Sequence, residues 1–194
     1  MTSHPDLHRR SLRLQGYDYA QAGAYFVTLC TRGRECLFGE IVDGAMRPND
    51  AGSVVSDEWF KTSQIRGNVH LNANEFVVMP NHVHGILWIV DVGATRRVAP
   101  TRPVLRPIGA VSGSLGAIMA QFKSAVTKRI NALRGTSGMQ VWQRNFHEHI
   151  IRDDNTLNRI REYIMNNPRQ WALDRENPAN AGTARQTQGV IRPA

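Results

Sequence analysis

The sequence predicts an α+β fold: a ferredoxin-like or RRM-like sandwich, an antiparallel sheet with helices packed on it, plus a C-terminal helix. Three observations predict it. Segments rich in aromatic and β-branched residues are separated by segments whose apolar residues recur every three or four positions. Their order is strand, hairpin, helix, strand, strand, long helix, strand, helix, which contains the β-α-β-β-α-β unit. Two of the strands are joined by a turn short enough to require antiparallel pairing. With 194 residues, 41% of them apolar, the chain can bury one packed domain.

Each element has a local reason. Residues 1–24 form a basic lead-in with Arg9, Arg10 and Arg13 and the tyrosines Tyr17 and Tyr19. Tyr25 to Thr31 reads as a strand. Cys36–Ile41 and Gly44–Arg47 flank Val42-Asp43 as a hairpin. Asp50 can cap a helix to about Lys61, with Val54, Val55 and Trp59 on one stripe. Asn74–Met79 and His82–Val90 are strands joined by the turn signal Pro80-Asn81. Residues 91–111 carry three prolines and Arg96, Arg97, Arg102 and Arg106, a composition expected of a flexible basic loop. Ser114 can cap a long helix to Leu133. Its stripe is Leu115, Ile118, Met119, Phe122, Val126, Ile130 and Leu133, and Gly135 is its stop. Phe146–Ile151 is the last strand. Asp153 or Asp154 caps a final helix to Asn166, beyond which Pro168 forbids continuation. Residues 175–194 have little to bury and are expected to be disordered. The domain expected is therefore 25–174.

The 21 Arg and 3 Lys outweigh 16 acidic residues and leave a net charge of +8. Arginine forks pair with phosphate in two-point geometry, so a polyanion, nucleic acid above all, is the favoured partner. No apolar run is long enough to span a bilayer, and the polar, basic N-terminus is no secretory signal. Two cysteines make no disulfide framework. A cytoplasmic protein without a membrane role is expected.

Two constellations can carry chemistry. His82 and His84 alternate on a strand, so both imidazoles share one face, where they can grip a divalent metal or simply line an exposed surface. Tyr163 lies at the rim of the apolar stripe of the last helix. Asn167, four residues on, is placed to stack below it, although a residue before proline is pushed away from helical geometry. A tyrosine hydroxyl titrates near 10 and attacks poorly at neutral pH. A metal bridging to a phosphate would ease that attack and leave a phosphotyrosine. His147-Glu148-His149 is a second string of the same pattern.

Tyr25-Phe26-Val27-Thr28, the run from Phe76 through Met79-Pro80-Asn81-His82-Val83-His84-Gly85, Phe122-Lys123-Ser124, and Tyr163-Ile164 with Asn167-Pro168 resemble the single-tyrosine HUH transposases. More narrowly, they resemble the REP-associated tyrosine transposases, from about Arg9 to Asp174. The resemblance implies a metal-dependent single-stranded DNA endonuclease and strand transferase acting on hairpin repeat DNA. His82 and His84 would hold Mg²⁺ or Mn²⁺ with Asn167 as third ligand, and two imidazoles suit Mn²⁺ better. Tyr163 would be the nucleophile that leaves a 5′-phosphotyrosine. Met165 stands where relatives often carry histidine. Arg96, Arg97, Lys123, Lys128, Arg161 and Arg169 are the candidate DNA contacts, and either a monomer or a homodimer is compatible with the resemblance. The rival readings are a catalytically silent nucleic-acid-binding protein on the same fold and a replication-initiator-type nickase.

Overall fold

The computed structural model describes residues 14, 16–91, 111–174 and 176–180. The basic loop expected at 91–111, with Arg96 and Arg97, falls outside them apart from its two end residues, as does the tail beyond 180. The elements are β1 (Gly23–Cys30), β2 (Gly39–Val42), β3 (Ala45–Pro48), α1 (Asp50–Ile65), β4 (Val69–His70), β5 (Phe76–Met79), β6 (His82–Ile89), α2 (Leu115–Arg134), β7 (His147–Ile151) and α3 (Asp154–Asn166). Among the described residues no helix is long and apolar enough to cross a membrane.

One sheet runs β7-β1-β6, with β5 and β4 both pairing the far side of β6, and every pairing is antiparallel. Apart from the short β4, this is the fourth-first-third-second order of a ferredoxin-like sandwich. β2 and β3 form a separate hairpin. Its turn falls at Asp43-Gly44, one residue later than expected, because both residues adopt positive φ (52° and 72°), as this tight turn requires.

The helices begin and end for local reasons. Asn49, rather than Asp50, caps α1, its side chain accepting from the Gly52 amide. Ser114 caps α2 and Gly135 closes it in the left-handed conformation. Asp153 caps α3, accepting from the Thr156 amide. The α2 stripe is buried from Leu115 to Ile130, while Leu133, in the last turn, is exposed.

The sheet has two unlike faces. On one, Tyr25, Val27, Leu29, Val83 and Leu87 pack under α1 and α2 with Val55, Trp59, Ile118, Met119, Phe122 and Val126 as the main core. Gly85 belongs to this face because Trp59 lies against the backbone there. A Cβ at Gly85 would stand 2.5 Å from Trp59 Cζ2. On the other face, Ala24, Phe26 and Ile86 meet Leu157, Ile160 and Ile164 of α3 in a smaller cluster. Period-2 alternation along β1 and β6 produces this division. It sends His82 and His84 to the α3 face.

Candidate metal centre and tyrosine

His82 and His84 point from β6 to the side that α3 covers. Both are buried, and their Nε2 atoms lie 3.0 Å apart. The register sets His84 opposite Thr28 and His82 opposite Cys30 on β1. Thr28 Oγ1 is 2.8 Å from His84 Nδ1. On the other imidazole, His82 Nδ1 lies 2.8 Å from Asn81 Oδ1. Each ring is therefore held from behind through Nδ1, with its Nε2 turned to a common point. Phe26 stacks on His84 at 5.5 Å between ring centroids. Trp171 lies 6.0 Å from His82.

Tyr163 comes to this point from α3. Its hydroxyl is 3.2 Å from His84 Nε2, and its ring stands edge-on to Phe26. The residue is 43% exposed, so one side of the phenol meets the histidines and the other meets solvent. α3 is seated by Leu157, Ile160 and Ile164 and by an ion pair at its outer edge. Both Nε and Nη2 of Arg161 donate to Oε1 of the buried Glu75, at 2.9 and 2.6 Å. Glu75 Oε2 accepts from Trp88 Nε1 and Asn72 Nδ2. Burying that carboxylate is tolerable because four N–H bonds reach its two oxygens.

A third donor comes from a residue that local pattern reading does not flag. Asp174, just beyond the two-turn 3₁₀ helix Pro168–Leu173, brings Oδ2 to 3.9 Å from His82 Nε2. Ligand atoms of His82, His84 and Asp174 all lie within 4.8 Å of one another. Glu176 holds this carboxylate by donating its backbone N–H to Asp174 Oδ1 at 2.7 Å. Asn167 keeps helical φ and ψ (−56°, −45°) despite the proline that follows, so α3 runs on into the next turn. The expected departure from helical geometry does not occur. Its side chain is buried, and its Oδ1 has no hydrogen-bond partner among the described residues.

The donors fit a divalent cation. Nitrogens 3.0 Å apart are spaced as adjacent corners of an octahedron with arms of ~2.1 Å. A carboxylate beside them supplies the charge that two neutral imidazoles lack.

No family model matches the chain. An uncharacterized protein of Haemophilus influenzae is 40% identical over 169 residues, which are 86% of this chain and 92% of that one. The two belong to one family. Among solved structures, a REP-associated tyrosine transposase bound to a REP hairpin superposes with a TM-score of 0.50 at 19% identity, over 81% of this chain and 72% of the other. This chain has the REP-associated tyrosine transposase fold.

On that fold the basic candidates are not equivalent. Lys123 Nζ donates to the carbonyls of Gln143 and Arg144, at 2.6 and 3.0 Å, and ties α2 to the segment before β7. Burial holds its ammonium below the ordinary lysine range. Arg161 is bound to Glu75 as described. Lys128 on α2 and Arg169 after α3 are exposed. Sequence reading missed Asp174, and it noted Asn81 and Thr28 as parts of a turn, a strand and the resembling motifs without a role at the site.

Proposed function

We propose that this chain is a divalent-metal-dependent endonuclease and strand transferase for single-stranded DNA that carries hairpin repeats, with Tyr163 as its nucleophile. The observation that carries the proposal is the 3.2 Å approach of the Tyr163 hydroxyl to a buried histidine whose Nε2 is itself 3.0 Å from a second. Supporting it are the fold shared with a transposase that binds a REP hairpin and the positive charge of the chain.

His82, His84 and Asp174 would hold the cation, Mn²⁺ or Mg²⁺, with Asn167 as a further ligand. When bound, it would draw charge from a phosphate and orient it for in-line attack. The protein's own part begins with α3, which fixes the phenol at the rim of the site through Arg161 and the apolar stripe. The Tyr163 oxygen bonds to phosphorus and gives up its proton. The P–O3′ bond breaks, and the departing oxygen takes up a proton to become a 3′-hydroxyl. The 5′-phosphotyrosine that remains keeps the phosphoester for transfer to another 3′-hydroxyl, so cleavage and rejoining are one reaction run in two directions. Partial exposure of Tyr163 allows the strand to reach it. The exposed Lys128 and Arg169 are the basic residues available to phosphates, and Arg96 and Arg97 are candidates from the sequence.

A denaturing gel tests this. A hairpin-bearing oligonucleotide incubated with the protein and Mn²⁺ should yield a covalent protein–DNA adduct. The adduct should vanish with chelator or with Tyr163→Phe. An adduct that survives Tyr163→Phe, or whose yield is indifferent to metal, would overturn the assignment.

A further inference from the structure

We infer that Asn81 is a positioning residue that locks His82 in the tautomer able to ligate a cation, whereas the Thr28 hydroxyl behind His84 can serve either tautomer of that ring. The inference deepens the proposed function and rests on it for its consequence in metal binding.

Neighbouring groups settle the orientation of the Asn81 amide. The residue is fully buried. Its Nδ2 reaches two backbone carbonyls, Arg34 O at 3.1 Å and Glu176 O at 2.6 Å. Carbonyls only accept, so the NH₂ group must face them, and its two hydrogens are then spent. The amide cannot flip. Oδ1 is left facing His82 Nδ1 at 2.8 Å, and an amide oxygen can only accept. His82 therefore carries its proton on Nδ1, and Nε2 presents a lone pair to the site.

The counterpart behind His84 is a hydroxyl. Thr28 Oγ1 can donate to Nδ1 or accept from it, since its hydrogen rotates. Without a cation, the Thr28 hydroxyl can donate to Nδ1 while His84 Nε2–H donates across the 3.0 Å gap to His82 Nε2. That arrangement uses the lone pair that Asn81 guarantees. Cation binding requires His84 to move its proton to Nδ1, and the Thr28 hydroxyl can turn to accept it. One ligand is thus preset and the other adapts.

The same amide also holds the third donor. The Glu176 carbonyl that takes a hydrogen bond from Asn81 belongs to the residue whose N–H fixes Asp174 Oδ1. One side chain, adjacent in sequence to the first histidine, therefore sets the tautomer of His82 and braces the loop that delivers the carboxylate.

The test uses the full chain, labelled with ¹⁵N. Long-range proton–nitrogen correlation spectra of the imidazoles are recorded without metal, at a pH about two units above the ordinary histidine value. His82→Gln and His84→Gln assign the rings. The wild-type protein should show His82 wholly as the Nδ1–H tautomer, and an Nε2–H signal there overturns the inference without any variant. Asn81→Ala removes the acceptor and should give mixed tautomers at His82. Asn81→Asp keeps an acceptor while losing both N–H donors, so it should retain Nδ1–H. If the two variants lose the tautomer alike, Asn81 is only a structural brace and the inference fails. Calorimetric titration with Mn²⁺ reads the consequence. Asn81→Ala should bind about 10–100-fold more weakly, and Asn81→Asp, which keeps the tautomer but loses the brace on the Asp174 loop, should fall between Asn81→Ala and wild type. Equal affinity of Asn81→Ala and wild type would overturn the claim. A wild-type protein that binds no Mn²⁺ would defeat the proposed function while leaving the tautomer result standing.

Discussion

Two His-x-His strings lie on the same face of the same sheet, on the strands that flank β1. Thr28 is registered against His84 on one side and against His147 on the other, and Phe26 is registered against His149. Cross-strand partners share a face, so all four imidazoles project toward α3. Their surroundings differ completely. On β6 both rings are buried, each is bonded through Nδ1, and their Nε2 atoms meet. On β7, at the sheet edge, His147 is exposed and His149 half-buried. Burial pushes the His149 imidazole below its ordinary value, with Arg152 and Arg159 adding repulsion. Among the described residues only the first string has a carboxylate close enough to complete a three-donor group. The spacing is the same in both, so spacing alone does not make a ligand pair. Burial, a partner behind each ring and a third donor within reach do.

The largest expected effect separates the strings directly. His82→Ala or His84→Ala should abolish Mn²⁺ binding and lower adduct formation on the order of a thousandfold, since a metal's stabilisation of a phosphoryl transition state is worth several kcal/mol. His147→Ala and His149→Ala should leave Mn²⁺ affinity within about twofold, because neither belongs to the three-donor group. Equal losses in both sets, read by titration and by gel, would erase the distinction.

What the sequence disclosed follows the same line between local and distant causes. Helix α2 was legible because its cap, its stripe and its stop lie within one continuous segment. β4 was missed because two residues carry no periodicity and exist only by pairing with Ile89 and Trp88 of β6. The histidine pair and Tyr163 were legible from alternation and from the motif around them. Asp174 was not. It follows a proline-started turn, and only the folding of that turn back over β6 brings it to His82. Asn81 was legible as a turn residue, and nothing in a linear reading shows that its amide is spent on the carbonyls of Arg34 and Glu176.

The buried string also depends on α3 being held against it, which gives the next effect. Arg161→Ala would leave the Glu75 carboxylate buried with only its Trp88 and Asn72 bonds. Losing one partner of a buried pair costs 3–5 kcal/mol, and the 40% exposure of the Arg161 side chain reduces this to about 2 kcal/mol. Chemical denaturation measures it. Adduct yield should fall at temperatures where the variant is still folded, because the phenol is no longer pinned at the rim. A variant as stable and as active as wild type would free Arg161 to be the phosphate contact suggested by its sequence position.

Thr28 sharpens the comparison further, since it opposes both strings but is bonded to His84. Thr28→Val keeps the shape and removes the hydroxyl. Loss of such a partner behind a ligand should weaken Mn²⁺ binding about tenfold, and combining the substitution with His147→Ala should cost no more than Thr28→Val alone. A smaller loss from Thr28→Val in the His147→Ala background than in wild type would mean that Thr28 acts through His147 instead.

The smallest effect belongs to the edge string and concerns stability alone. His149 has a depressed value in the folded chain, so on acidification the unfolded chain takes up its proton first. Stability contributed by the neutral ring is complete above the ordinary histidine value of ~6.5 and declines as the pH falls from there toward the folded value. His149→Gln cannot take up that proton. Its melting temperature should therefore fall less steeply than that of wild type below pH ~6.5, and the gap between the two proteins should be constant above it. The opposite trend, a variant that loses more stability on acidification, would mean that protonated His149 makes a favourable contact. The guanidinium groups of Arg152 and Arg159 would then not be the neighbours that govern this imidazole, and among the described residues the edge string would be set apart only by its exposure and its lack of a three-donor group.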